Sequence, residues 1–193
     1  MKISARAVER RGASELVAAG AALARQGLVR GREGNLSVRL DERSCLLTPA
    51  GYDKGRMQRC ELLVALIGQP PPPRASTESL LHLAILRRRS DLGAVIHAHP
   101  PALLALQARG EIPDPSLLFD GMLLVPAIAM VADLPPGSQE LADACADALA
   151  TAQAAVLLRH GAVTLGSRPG EALQRMETLE LLARVMLAGG ALR

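Results

Sequence analysis

Two strand-like segments with almost nothing between them limit the fold more than any other part of this chain. Residues 35–40, NLSVRL, and 45–49, CLLTP, flank the polar turn Asp41, Glu42, Arg43. So short a link joins antiparallel strands as a hairpin, because a parallel crossover needs on the order of a dozen residues or more. A doubly wound parallel fold would need regular strand–helix alternation and is disfavoured. Further strands are predicted at 62–68, 93–99, 154–160 and 162–166. Helical spacing of apolar residues predicts helices over 8–26, ending before Gly27, and over 77–89, where Leu80, Leu81, Ala84 and Ile85 make one face behind Ser76 as N-cap. Shorter helices follow Pro100 and Ser138, and a last one runs over 169–188. The proline-broken segment 112–137 carries no readable pattern. Helices mixed with hairpins predict an α/β or α+β sandwich on a mixed or antiparallel sheet.

A length of 193 residues fits one domain, 1–193, with a core of useful size. Apolar residues reach 49% but aromatics only 1%, so Leu, Ala and Val must fill that core, beside a single Tyr52 and a single Phe119. The net charge is +3 and its cations, nearly all arginine, are scattered among acids. No basic stripe or aromatic platform is present, which speaks against a nucleic-acid partner and leaves small anions open. Cys45, Cys60 and Cys145 are odd in number and form no Cys-x-x-Cys pair, so reduced thiols are expected. The first residues, MKISARAVERRGASEL, lack the apolar stretch of a signal peptide, and no apolar run approaches the roughly 20 residues of a membrane span. A cytoplasmic location without a membrane partner is the expectation.

Chemistry concentrates in the histidines. His97-Ala98-His99 ends an apolar strand, and the strand period of two turns both imidazoles to one face. His160 is the candidate third ligand: it ends AVLLRH, and Gly161 after it permits the chain to turn sharply near a metal. Three nitrogens with an open position are the donor set of a catalytic rather than a structural zinc site. His82 lies one turn beyond Glu78 and reads as a satisfied core histidine or as a support for the ligands. Gly34 and Asn35 offer either a plain turn or a close approach to an anion. Ser76 and Thr77, at a helix start, offer either ordinary capping or a phosphate seat.

GNLSVRL, TPAGYDK, STESLLHLAIL, AVIHAHPPALLAL and LLRHGAVTLG occur together in the order and spacing of the class II aldolase/adducin family, which the chain resembles over about residues 8–188. The resemblance implies a three-layer α/β/α sandwich with a mixed, largely antiparallel central sheet, and a homotetramer. It implies that His97, His99 and His160 bind Zn2+ (Co2+ or Mn2+ being alternatives), that Glu78 moves the proton, and that Gly34, Asn35, Gly51, Ser76 and Thr77 hold a substrate phosphate. The implied reaction is aldolase cleavage of a small ketose phosphate to dihydroxyacetone phosphate and an aldehyde through a metal-stabilised enediolate. A dehydratase or decarboxylase of a related sugar phosphate, and a non-catalytic adducin-like interaction module, are the alternatives. Two departures stand out. DPSLLFDG, at 114–121, lacks the tyrosine that fuculose-type aldolases carry in this region, which leaves the aldehyde-side acid unassigned, and Ala50 replaces a frequent hydroxyl residue before Gly51.

Overall fold

In the computed structural model, which describes residues 5–189, the hairpin of residues 35–49 forms as expected. Strands β1 (Asn35–Arg39) and β2 (Ser44–Leu47) pair antiparallel, with Val38 opposite Leu46. Asp41 builds the turn by accepting the backbone N–H groups of Arg43 and Ser44, each at 2.8 Å. Strand β3 (Leu63–Leu66) adds antiparallel to β2, and β4 (Ala94–Ala98) adds antiparallel to the far side of β1. Beyond β4 lie β7 (Gly161–Gly166), β6 (Ala154–Leu157) and β5 (Ile128–Val131). The order is β3-β2-β1-β4-β7-β6-β5, and β5–β6 is the parallel pair in this mixed sheet.

Helices cover both faces. Helices α1 (Ala5–Arg25), α3 (Pro101–Ala108) and α6 (Pro169–Gly189) pack Leu16, Leu23, Leu103, Leu106, Met176 and Leu179 on one side. Helices α2 (Ser79–Arg88) and α5 (Gln139–Ala148) pack Leu81, Ile85, Leu86, Leu141 and Cys145 on the other. A short helix α4 (Phe119–Leu124) rests on α6. The result is the α/β/α sandwich. Along β4 the pleat sorts its residues: Ala94, Ile96 and Ala98 enter the first core and Val95 the second, so His97 faces the layer of α2 and α5.

Several boundaries differ from the sequence expectation. Helix α1 ends one residue early, where Gly27, at φ +72°, closes it: the Leu28 N–H reaches the Leu23 carbonyl at 2.9 Å. Strand β6 stops at Leu157, three residues before His160. Helix α2 starts at Ser79 with Glu78 in the N-cap position, so Ser76 is not its cap. Its hydroxyl instead accepts the Glu78 N–H at 3.4 Å within the preceding turn. The unreadable segment contains α4 and β5. Strand β5 escaped the pattern because it has four residues, is mostly half-exposed, and finds its partner more than 20 positions away. No helix among the described residues is long and apolar enough to cross a membrane.

Candidate metal centre

Three separate pieces of backbone meet at one end of the central strands. The end of β4 brings His97 and then His99. Across from it, the antiparallel register sets Asn35 of β1 opposite His97, and Ala162 of β7 opposite Ala98. His160 comes from the tight turn between β6 and β7, not from a strand end. Arg159 adopts the left-handed conformation at φ +61°, and its N–H is held by the Gln107 side chain at 2.7 Å. Gly161 therefore does not make the turn. Its value is closeness: a Cβ there would strike the Ala98 carbonyl and come within 2.8 Å of the His99 ring. Gly34 combines both demands, with φ +68° and a Cβ position 2.7 Å from the His97 carbonyl oxygen.

Glu78, His97, His99 and His160 bring their donor atoms within 4.8 Å of one another. Nε2 of His97 lies 3.0 Å from Nε2 of His99 and 3.2 Å from Glu78 Oε2, and Nε2 of His160 lies 3.3 Å from Glu78 Oε1. The ring centroids are 4.7–5.2 Å apart. His97 Nδ1 donates to the Ala162 carbonyl at 3.0 Å, which leaves the neutral ring with a bare lone pair on Nε2, pointing into the cluster. Metal–nitrogen distances of about 2.0–2.1 Å in a tetrahedral site set donors about 3.3 Å apart, close to the 3.0 Å between Nε2 of His97 and Nε2 of His99. His97 is fully buried and Glu78 is 7% exposed, while His99 and His160 are half-buried on the open side.

Burial disfavours the charged forms of His82, His99 and His160. Burial lowers His82 to about 3, His97 adding to the effect and Glu78 opposing it. His99 falls to about 4 through burial and then the neighbouring His97 and His160, against Glu78. His160 is lowered by burial and by His97. Burial raises the Glu78 carboxyl, but its hydrogen bonds and charge interactions with His97, the charge of His160 and the Asn35 bond together outweigh it and hold the group at about 2. A consequence for stability follows. An unfolded imidazole takes a proton at about pH 6.5, whereas the folded His82 resists protonation until about 3. Between these values the unfolded chain binds more protons, so stability falls as pH falls, at about 1.4 kcal/mol per pH unit for such a group. Thermal melts of metal-free protein should thus be level from about pH 8 to about 7 and drop steeply between about 6.5 and about 4. A level melting temperature down to about pH 4.5 would mean that these rings are not held neutral.

The four metal and acid candidates read from the sequence meet here, and Gly34 and Asn35 border them. The Asn35 amide spends one N–H on Glu78 Oε2, at 3.0 Å. Ser76 and Thr77 immediately precede Glu78, and Gly51, at φ +77°, sits on an exposed turn with open space around it. His82 is the residue that sequence reasoning left undecided: it is 1% exposed, and both ring nitrogens are bonded, to Ser37 at 2.8 Å and to Asn35 at 2.6 Å. A signal existed in two periods. Asn35 and Ser37 share one face of β1, and Glu78 and His82 share one face at the start of α2.

Comparison with known proteins agrees with this architecture. Residues 14–187 match the family described as Class II Aldolase and Adducin N-terminal domain. The chain is similar to a 3-oxo-tetronate 4-phosphate decarboxylase of Haemophilus influenzae, 30% identical over 180 residues covering 88% of this chain and 84% of the relative. It is similar to a methylthioribulose-1-phosphate dehydratase of Acidiphilium cryptum, 32% identical over 185 residues covering 88% and 87%. Among solved structures, an L-fuculose-1-phosphate aldolase from Thermus thermophilus superposes with a TM-score of 0.84 at 32% identity, covering 93% of this chain and 95% of that one.

Proposed function

The chain belongs to the class II aldolase and adducin family, and on that premise we propose that it is a cytoplasmic, homotetrameric, metal-dependent lyase that cleaves a small ketose phosphate to dihydroxyacetone phosphate and an aldehyde. The observation that carries this reading is the convergence of three imidazole nitrogens on one buried carboxylate. The residues fit a divalent cation. His97 has its Nδ1 proton committed to Ala162, Glu78 Oε1 has no hydrogen-bond partner, and the half-buried His99 and His160 leave one side accessible. His97, His99 and His160 would hold zinc, and a nitrogen donor set also accepts cobalt or manganese. The cation supplies Lewis acidity toward the carbonyl and hydroxyl oxygens of the sugar.

In cleavage Glu78 passes a proton to the carbon that the broken carbon–carbon bond leaves beside the carbonyl, and in the reverse, condensing direction it removes that proton. Held at about 2, it is a carboxylate at neutral pH and must first take up the proton that leaves the hydroxyl of the departing carbon, directly or through another group. Gly34 and Asn35, Gly51, and Ser76 with Thr77 hold the phosphate. Support comes from the open turn at Gly51 and from the start of α2, where backbone N–H groups and the helix dipole favour an anion. The tetramer is supported by the apolar surface of Leu117, Phe119, Met122 and Leu123, with the single Phe 74% exposed.

Decarboxylation is the second reading, and one observation favours it. Aldol cleavage must remove a proton from the hydroxyl of the carbon that leaves. Residues 114–124 contain no tyrosine, and the hydroxyl of Tyr52 accepts a bond from Arg74 at 3.1 Å. Loss of carbon dioxide needs no such base. A panel of ketose phosphates and phosphorylated 3-oxo acids, offered to zinc-loaded protein, separates the readings. Dihydroxyacetone phosphate release supports cleavage. Carbon dioxide release without it supports decarboxylation, and loss of water alone supports dehydration. No product from any member of the panel would argue for the adducin-like, non-catalytic alternative.

A further inference from the structure

Behind the metal cluster runs a buried polar chain of which the proposed reaction leaves two members, Ser37 and His82, without a role. Ser37 Oγ lies 2.8 Å from His82 Nδ1, His82 Nε2 lies 2.6 Å from Asn35 Oδ1, and Asn35 Nδ2 lies 3.0 Å from Glu78 Oε2. Ser37, His82 and Asn35 are each at most 3% exposed, so water cannot substitute for any of these bonds. We propose that His82 is a positioning residue: locked between Ser37 and Asn35 as its Nε2–H tautomer, it aims the Asn35 amide at one oxygen of Glu78 and leaves the other free to exchange a proton.

The direction of every bond follows from what each group can do. An ionised carboxylate only accepts, so Asn35 must turn its NH2 toward Glu78. Its oxygen then faces His82 Nε2, which must carry the proton. Nδ1 is left bare and accepts the Ser37 hydroxyl, whose rotor supplies the remaining donor. Reversing the Asn35 amide would set oxygen against carboxylate and N–H against N–H, two repulsions in a buried site. A buried network of this kind has one satisfied arrangement. Its result is asymmetry at Glu78, where Oε2 is anchored by Asn35 while Oε1 has no hydrogen-bond partner and faces His160 at 3.3 Å.

The inference rests on the reading of Glu78 as the proton carrier, but it can be tested without turnover. Long-range proton–nitrogen NMR correlations of the imidazoles, on metal-free and zinc-loaded wild-type chain, report each tautomer, with His82 assigned by its absence in His82→Gln. The Nε2–H tautomer of His82 in both states is expected, while the signals of His97, His99 and His160 move on adding zinc. The Nδ1–H form or an imidazolium at neutral pH overturns the proposal. Zinc titration then compares two variants. His82→Leu should weaken zinc binding by about 10- to 100-fold, because the Glu78 carboxylate that faces the cation loses the Asn35 bond that orients it, a loss of the size usual for the outer partners of a metal site. His82→Gln, whose amide N–H reaches Asn35 in place of Nε2–H, should recover most of it. Unchanged affinity in His82→Leu, or no recovery in His82→Gln, overturns it as well. Should His82→Leu fail to fold, the wild-type tautomer decides alone. A sugar-phosphate panel that yields no product would count against the lyase reading and leave both of these results standing.

Discussion

Glu78→Gln is expected to lose on the order of 10³-fold in kcat while retaining its metal, since a positioned general base contributes roughly 10²- to 10⁴-fold. The substitution keeps the shape of the side chain and removes its ability to take a proton. Three imidazoles remain to hold the cation, so elemental analysis should still find about one ion per chain, as three-nitrogen catalytic sites do. Asn35 would face an amide instead of a carboxylate and could still pair through the amide oxygen. KM should change little, because Glu78 moves a proton and the phosphate seats carry the binding. The held value of about 2 adds a check, since the wild-type rate should not fall on the acid side from protonation of Glu78 until well below neutral pH. Turnover of ordinary size in Glu78→Gln would remove it as the proton carrier. Loss of metal together with activity would make it chiefly a ligand.

His97→Ala is expected to abolish metal binding and to destabilise the chain as well. This ring joins the two demands: Nε2 faces the cluster, while Nδ1–H satisfies the Ala162 carbonyl from the centre of the sheet at 3.0 Å. Truncation removes a ligand, opens a void in a fully buried position, and removes the imidazole bond to the Ala162 carbonyl, worth about 0.5–1.5 kcal/mol. The measurement is a pair of thermal melts with and without zinc, beside metal content. Wild type should gain stability from zinc by mass action, and His97→Ala should start lower and gain nothing. His160→Ala, from a half-buried turn, should lose metal with a smaller drop in the metal-free melt. Zinc stabilisation that survives in His97→Ala would move the site elsewhere.

What neighbouring residues encode was legible. The short polar turn 41–43 dictated an antiparallel hairpin, and Asp41 builds that turn. The spacing of His97 and His99 put both rings on one side of β4, and they meet with nitrogens 3.0 Å apart. The glycines at 34 and 161 were visible as special, but for 161 the reason was not. Arg159, a residue without any turn signal, takes the left-handed conformation, while Gly161 serves the approach of β4.

What depends on distant partners was decided only in three dimensions. Strand β5 forms because β6 offers it a parallel edge, which nothing within 112–137 announces. His160 reaches the cluster because β7 lies antiparallel beside β4, and Asn35 lies opposite His97 through the register of β1 against that same strand. His82 could be a filler or a support until Ser37 and Asn35 were seen on its two nitrogens. Periodicity and turn chemistry are properties of a few consecutive residues, so the sequence by itself determined which faces were apolar and which residue types could do chemistry. Register across strands, and the direction of each buried hydrogen bond, belong to pairs far apart in the chain. Those were settled by packing two helical layers onto one sheet, where most buried polar groups find a partner.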